Sequence, residues 1–352
     1  SRTFASAAVP SVSASADQQI HLTSFSPVDE VSVWPGRLDS YSRPIPVTTG
    51  AEGNPVPDRA QKNWDAGEKM LEQAPTTADL EANDFKVGNA TDQRRYYYSQ
   101  KSAEDTIPFT RKLFVPPIGD TDRLDLYGPA GMGFDPGSAT FVADGSAVIA
   151  QTLVQKQAQI LDPITGNAVD IDYVLGDIFH SDPVVVGPPD NFAYFSADLE
   201  GRAEPCGPRR AGNDDPHLPY PCFALEQRYR RKVLLAGSND GAVHAWDMGT
   251  PSVNADGEVE YSVGTGYELF AFTPREVLPS MKRMAEGQGH TFTVDGPLTV
   301  ADVINDSIHA PDNPPAQQDR HWRTVAIGGL REGGRSYYAL DITMPDVLDA
   351  DG

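Results

Sequence analysis

Val233-Leu234-Leu235-Ala236-Gly237-Ser238-Asn239-Asp240-Gly241-Ala242-Val243-His244-Ala245-Trp246-Asp247 reads as a strand, a tight turn and a second strand. Val233 to Ala236 is a short apolar run. Asn239-Asp240-Gly241 follows, and Gly241 tolerates the positive φ that hairpin turns require. Val243, Ala245 and Asp247 then alternate with His244 and Trp246, the period of a strand. A buried β-hairpin anchored by Trp246 is expected, with Asn239, Asp240, Gly241 and Asp247 in structural roles.

The hairpin has company on both sides. His180-Ser181-Asp182-Pro183-Val184-Val185-Val186-Gly187 is a strand opened by a polar Asp-Pro turn. Val294-Asp295-Gly296-Pro297 to Asp302 repeats that pattern. Each copy leads to a strand, a Gly-rich turn and a strand ending in Asp: Val233 to Asp247 first, then Thr324 to Asp341. In this reading Gly328 answers Gly237 and Asp341 answers Asp247. The spacings are unequal (prolines 183 to 297, glycines 237 to 328), so loops are inserted, chiefly around Cys206 and Cys222. Tyr267 to Phe272 adds a fourth strand to the first copy, and four antiparallel strands per repeat is the pattern of a propeller blade.

The expected fold is therefore mainly β: a β-propeller with quinoprotein-like blades of four antiparallel strands, long loops and few short helices. A propeller closes with at least about four blades. This chain offers a blade at about 177–275 and a partial one at about 290–352, so the propeller looks incomplete. Residues 1–17 read as a flexible lead-in, and 18–174 as the N-terminal part of the propeller domain. Within that part, Gln19 to Phe25 alternates as a strand, and Val31 to Tyr41 reads as a hairpin turning at Pro35-Gly36. Trp64 to Gln73 is the best helix, with Asp65 as N-cap, Glu68 three residues on, and Pro75 as its stop. Arg94 to Tyr98 and Thr106 to Thr110 are short strand candidates. Asp120 to Gly145 reads as a Gly/Pro-rich excursion and Ala147 to Leu161 as a helix.

Composition bounds the function. Gly 31 and Pro 30 make up about a sixth of the 352 residues, which disfavours long helices, and 39 % hydrophobic residues suffice for a core. The net charge of −22 repels nucleic acid and anionic lipid. No signal peptide or membrane span is visible, and Ser1 reads as the start of a processed or trimmed chain. Cys206 and Cys222 flank a loop rich in Pro, Gly and Asp. A disulfide across it implies an oxidising compartment and contributes about 3 kcal/mol in the chain-entropy model; two free thiols are the alternative.

Several ordered segments resemble one family. They are Leu175 to Gly187, Ala236 to Asp247, Thr265 to Arg275, His290 to Asp302 and Val325 to Asp341, with Trp34-Pro35-Gly36-Arg37-Leu38 and Trp64-Asp65-Ala66-Gly67 near the start. In this order they resemble the C-terminal propeller domain of the type IV pilus biogenesis and tip-adhesin family (the PilY/PilC family), over roughly residues 18 to 350. The resemblance implies a secreted, non-enzymatic protein that reaches the bacterial surface and pilus tip through the periplasm. It implies roles in pilus assembly, retraction control and attachment to host or abiotic surfaces, with minor pilins or tip proteins as partners. Such proteins carry a calcium loop of Asp-x-Asp-x-Asp-Gly type. Here Asp346, Asp349 and Asp351 are the weak candidates for one; calcium needs six to eight oxygens, so a solvated acidic end is the first reading.

Catalysis is the rival reading, because the blades also look like those of quinone-cofactor dehydrogenases; a surface-filament or matrix protein is a third. Asp177, His180 and Asp182 lie close in sequence, but on a strand Asp182 and His180 share a face that Asp177 does not. A structural role in opening the strand, with Asp182 or His180 bonding to turn backbone, is preferred. His244 and His290 read as packed, hydrogen-bonded residues. The Gly328 to Gly334 run has no helix after it to hold an anion. The basic run Arg228 to Lys232 reads as a solvated strand lead-in. No catalytic residue, cofactor or metal is assigned.

Overall fold

A computed structural model describes residues 4–8, 19–29, 31–50, 53–76, 94–101, 109–113, 119–162, 165–191, 194, 220–306 and 320–345. Cys206, Asp346, Asp349 and Asp351 lie outside the described residues.

The N-terminal sheet has the order β1-β2-β3-β6, from β1 (Phe4–Ala8), β2 (Gln19–Phe25), β3 (Gly36–Ser42) and β6 (Trp64–Asp65). Burial alternates along β2 as in a strand, but in the reverse phase from the one its apolar residues suggest: Gln19, His21, Thr23 and Phe25 are buried, and Ile20 and Leu22 only half-buried. The expected hairpin over 31–41 is corrected: β3 begins at Gly36 and pairs with β2, from Phe25 opposite Gly36 to Gln19 opposite Ser42. Pro35-Gly36 is thus a strand start, held by a bridge from Pro35 to Gly176. A Cβ on Gly36 would lie 1.8 Å from the Gly176 carbonyl oxygen, so only glycine permits this crossing. A small hairpin, β4 (Val47–Thr49) and β5 (Pro55–Pro57), projects before β6. Helix α1 (Ala66–Gln73) follows, with the Asp65 carboxylate accepting from the Glu68 N–H, as the N-cap reading requires.

Two strands, β7 (Tyr96–Lys101) and β8 (Phe109–Leu113), precede α2 (Asp120–Tyr127) and α3 (Phe141–Leu153). The Asp120 to Gly145 stretch therefore contains helix. The helix expected over 147–161 is half right: α3 ends at Leu153, and Lys156 to Leu161 forms β9, paired with β10 (Ala168–Tyr173). Lys156 to Leu161 alternates as a strand does, and the apolar run of α3 masked that change of period.

The central sheet has the order β11-β12-β13-β16-β7-β8, with β11 (Val184–Val186), β12 (Lys232–Gly237), β13 (Val243–Gly249) and β16 (Glu268–Thr273). Its first four strands are antiparallel and form the expected blade. The β7–β8 pair extends it, β7 running parallel to β16. Helix α4 (Tyr220–Glu226) leads into β12; the hairpin β14 (Pro251–Val253) and β15 (Val259–Tyr261) interrupts the path from β13 to β16; α5 (Leu278–Ala285) follows. The second blade has three strands, β17 (Leu298–Asp306), β18 (Arg320–Gly329) and β19 (Tyr337–Asp341), all antiparallel. No sheet closes on itself among the described residues.

Every residue of β12 and β13 is buried. Val233, Leu235, Val243 and Ala245 pack into the cluster that includes Leu126, Ile149 and Met281 of α2, α3 and α5. Leu234, Ala236, Trp246 and Met248 pack on the opposite face with Trp64, Met70 and Leu175. The hairpin is thus a central layer covered on both sides, which is why its sequence is apolar at both parities. Trp246 is fully buried, with its Nε1 donating to the Met70 Sδ at 3.4 Å.

Register corrects one correspondence between the repeats. Val233 faces Asp247 and Gly237 faces Val243, whereas Val325 faces Asp341 and Gly329 faces Tyr337. Gly329, not Gly328, answers Gly237. A one-residue slip moves a side chain to the other face, so Tyr338 answers His244 and Leu340 answers Trp246.

Candidate functional site

The turn between β12 and β13 gathers the polar residues of the first blade. Gly241 sits at φ +112°. The Asp240 carboxylate accepts the N–H of Gly176 at 3.0 Å and of Ala242 at 3.3 Å. Asn239 donates through Nδ2 to Asp177 at 2.7 Å and accepts the Thr293 N–H at 2.9 Å. This one turn therefore ties the lead-in of the first blade to that of the second.

Two His–Asp pairs cross the same seam in opposite directions. His290 meets Asp177 at 2.9 Å, and His180 meets Asp295 at 2.6 Å, where Arg331 also donates at 3.3 Å. Rings cover them: Trp34, just ahead of β3, stacks on His290 with centroids 3.8 Å apart, and Phe179 meets Phe292 edge-on at 5.6 Å. Trp34, Phe179, His180, His290 and Phe292 are each half-buried. Asp177 and His180, neighbours in sequence, thus each bond to the other repeat and not to each other. Asp182 is exposed, and the strand-opening role expected of it falls to Ser181, whose Oγ accepts the Gly237 N–H at 2.8 Å. Both residues lie in the loop ahead of β11, where the side chain facing the β12–β13 turn is that of Ser181.

Below the turn runs a buried ionic chain. Arg94 donates to both carboxylate oxygens of Glu268 at 2.7 and 3.2 Å; Glu268 meets His244 Nδ1 at 2.6 Å; His244 Nε2 meets Asp240 at 2.9 Å. Burial alone would strip the charge from each of these groups. The alternation of sign prevents it. Burial works to lower His244, but Asp240 and Glu268 outweigh it and push the imidazole up to about 9. Burial works to raise Asp240, but His244, the Gly176 N–H and Arg94 hold it down at about 2. Glu268 is likewise held low against burial by Arg94 and His244. All four groups are therefore ionised near neutral pH and sum to zero charge. Beside them, Lys156 Nζ is buried without a hydrogen-bond partner, and burial lowers its pKa to about 8.

The closing aspartates behave alike. Asp247 accepts the N–H and hydroxyl of Thr265 at 3.0 and 2.7 Å; Asp341 accepts the N–H and hydroxyl of Thr343 at 3.0 and 2.6 Å. The basic run is corrected. Arg230 is buried and reaches the Thr324 hydroxyl at 2.6 Å and the Gly187 carbonyl, bridging the two blades, and Lys232 lies under the Tyr261 ring. The run turns between α4 and β12, and within it only Arg228 and its neighbour Tyr229 are exposed. Sequence reading missed the Arg94–Glu268 pair, whose members are 174 positions apart. The available signal was a Glu at the head of the apolar strand Glu268 to Thr273. Cys222 is buried on α4 and is not a free thiol.

No group of three or more His, Cys, Asp or Glu among the described residues is arranged to hold a metal. No helix among them is long and apolar enough to cross a membrane.

Residues 175–350, which span both blades and the seam, match the family described as the PilY1 beta-propeller domain. The chain belongs to the PilY1 β-propeller family. The type IV pilus biogenesis factor PilY1 of Pseudomonas aeruginosa (strain UCBPP-PA14) is 31 % identical over 300 residues, covering 82 % of this chain and 21 % of that protein. A PilY1 homolog of Xylella fastidiosa is 31 % identical over 173 residues, 49 % of this chain and 11 % of that protein. The chain thus spans about a fifth or less of the curated relatives it matches. The likeness to the first relative extends beyond the stretch matched to the PilY1 family, into the N-terminal sheet or its loops. No solved structure matches the chain.

Proposed function

We propose that this chain is the propeller portion of a type IV pilus biogenesis factor and acts by binding other proteins, without turnover. Membership of the PilY1 β-propeller family carries the reading. The geometry supports it: Asp177, His180, Asp240, His244 and Asp295, the acids and bases a reaction would draw on, are each committed to holding strands or blades together. The half-buried aromatic face at the seam and the β14–β15 hairpin are the surfaces best suited to a protein partner. Minor pilins or other tip proteins are the partners in this reading, and secretion through the periplasm to the pilus tip is the location. Control of retraction and attachment to surfaces are its proposed consequences. The Cys206–Cys222 disulfide and a calcium site at Asp346, Asp349 and Asp351 belong to the same proposal.

The deciding experiment shears pili from the source cells and asks whether the chain co-purifies with pilins, beside a deletion strain scored for surface pili. Loss of pili on deletion and co-purification with filaments are expected. Normal piliation, or a purified protein that carries a quinone-like chromophore and oxidises a dye-linked substrate, would defeat the reading. Thiol titration of the native, unreduced protein is expected to find none.

A further inference from the structure

Asp39 and Asp65 stand directly opposite each other where β3 pairs with β6, and both are buried. Carboxylates so placed have Cβ atoms about 5 Å apart, and like charges in that position repel. The Asp65 carboxylate is well supplied with donors: Arg37 at 2.9 Å, Lys62 at 3.4 Å and the Glu68 N–H at 3.2 Å. Asp39 is poorly supplied. The Tyr41 hydroxyl approaches one oxygen at 3.5 Å, Arg59 lies 3.9 Å from the same oxygen, and the other oxygen is buried with no hydrogen-bond partner. From β2 the residue opposite Asp39 is the uncharged Leu22.

We propose that the Asp39–Asp65 pair is a pH-sensitive clasp: α1 lies closed against the N-terminal sheet while one proton is held between the two carboxylates, and loosens when both ionise. Burial, and then Asp65, raise Asp39 well above the usual carboxylate range, with Arg37 and Arg59 opposing.

What the clasp holds gives it consequence. Asp65 caps α1, and α1 with its flanking Trp64 joins the N-terminal sheet to the first blade. Trp64 Nε1 donates to the Val263 carbonyl at 2.9 Å, Met70 receives the Trp246 N–H, and Gln73 brackets the Glu268 backbone with bonds of 3.0 and 2.9 Å. Ionising Asp39 therefore works on an element that seats the first blade against the N-terminal sheet.

A group whose folded pKa is raised binds its proton more tightly in the closed state, so closure weakens as pH rises from the ordinary carboxylate range toward neutrality. Amide exchange of residues 66–73, read by mass spectrometry on the whole chain and corrected for intrinsic rates, is expected to quicken by about tenfold or more between pH 5 and 8. Asp39→Asn, which keeps the shape of the protonated acid, is expected to abolish that dependence. Arg37→Gln removes an opposing cation and is expected to move the midpoint to higher pH. The proposal is overturned by a wild-type curve that is flat, by one that Asp39→Asn leaves unchanged, or, should that variant not fold, by a midpoint that Arg37→Gln fails to raise.

Discussion

The two blades share a plan and differ in what fills it. In the first, β12 and β13 are covered on both faces, and position 244 holds a histidine wired through Glu268 to Arg94. In the second, the matching position holds Tyr338, and the sheet has an exposed face where Ile327 and Tyr337 are 47 % and 83 % accessible. The same strand–turn–strand grammar thus gives an ionised core in one repeat and an amphipathic layer in the other. The cause lies outside the repeats. α1 and α5 cover the two faces of the first hairpin, and β16 and β7 extend its edge; on the second blade α4 packs against Trp322 at one end of β18, while Ile327 and Tyr337 stay exposed.

The contrast can be broken hardest at Arg94. Arg94→Met leaves Glu268 buried with a single partner and is expected to destabilise by about 3–5 kcal/mol in urea unfolding. A change below about 1 kcal/mol would mean that the chain of charges is not what holds the core. Trp246→Ala should cost a similar ~3–5 kcal/mol by emptying the buried face of β13. Its counterpart Leu340→Ala, on the half-covered sheet, should cost clearly less; equal losses would erase the difference between the blades.

The charges also predict opposite pH limits. His244 is raised from 6.5 to about 9, so its contribution is complete below 6.5 and is lost as pH rises through 9. Asp240 is lowered from 3.8 to about 2, so its contribution is complete above 3.8 and is lost as pH falls through 2. From these two groups, protection of the β12 and β13 amides should be greatest between about 4 and 6.5 and should fall by pH 9.5. Amides of β18 and β19, which lack such a pair, should follow only their intrinsic rates; parallel loss in both blades would refute the assignment. The smallest effect belongs to Tyr337→Ser at the exposed edge, expected within about 0.5 kcal/mol of wild type in the same unfolding assay.

Much of this plan was legible in the sequence. The hairpin around Asn239-Asp240-Gly241, the Asp65 cap and the paired Asp247 and Asp341 follow from local rules of turn, cap and alternation, which need only a few neighbouring residues. The errors have a common origin. The register of Gly329 against Gly237, the exchange of Asp182 for Ser181 and the burial of Arg230 all depend on which distant segment lies against them. A side chain is visible in a sequence, but what lies against it is not. The seam pairs His180–Asp295 and His290–Asp177 join residues 115 and 113 positions apart, beyond the reach of any local pattern.

By itself, then, the sequence determined the mainly β blades, their turns and the family to which they belong, because backbone chemistry and periodicity are short-range. Only the tertiary structure decided which charges are buried and with whom. Arg94, Glu268, His244 and Asp240 become one neutral chain, and Asp39 comes to face Asp65, because strands distant in sequence are brought within hydrogen-bond distance in a medium that water does not screen.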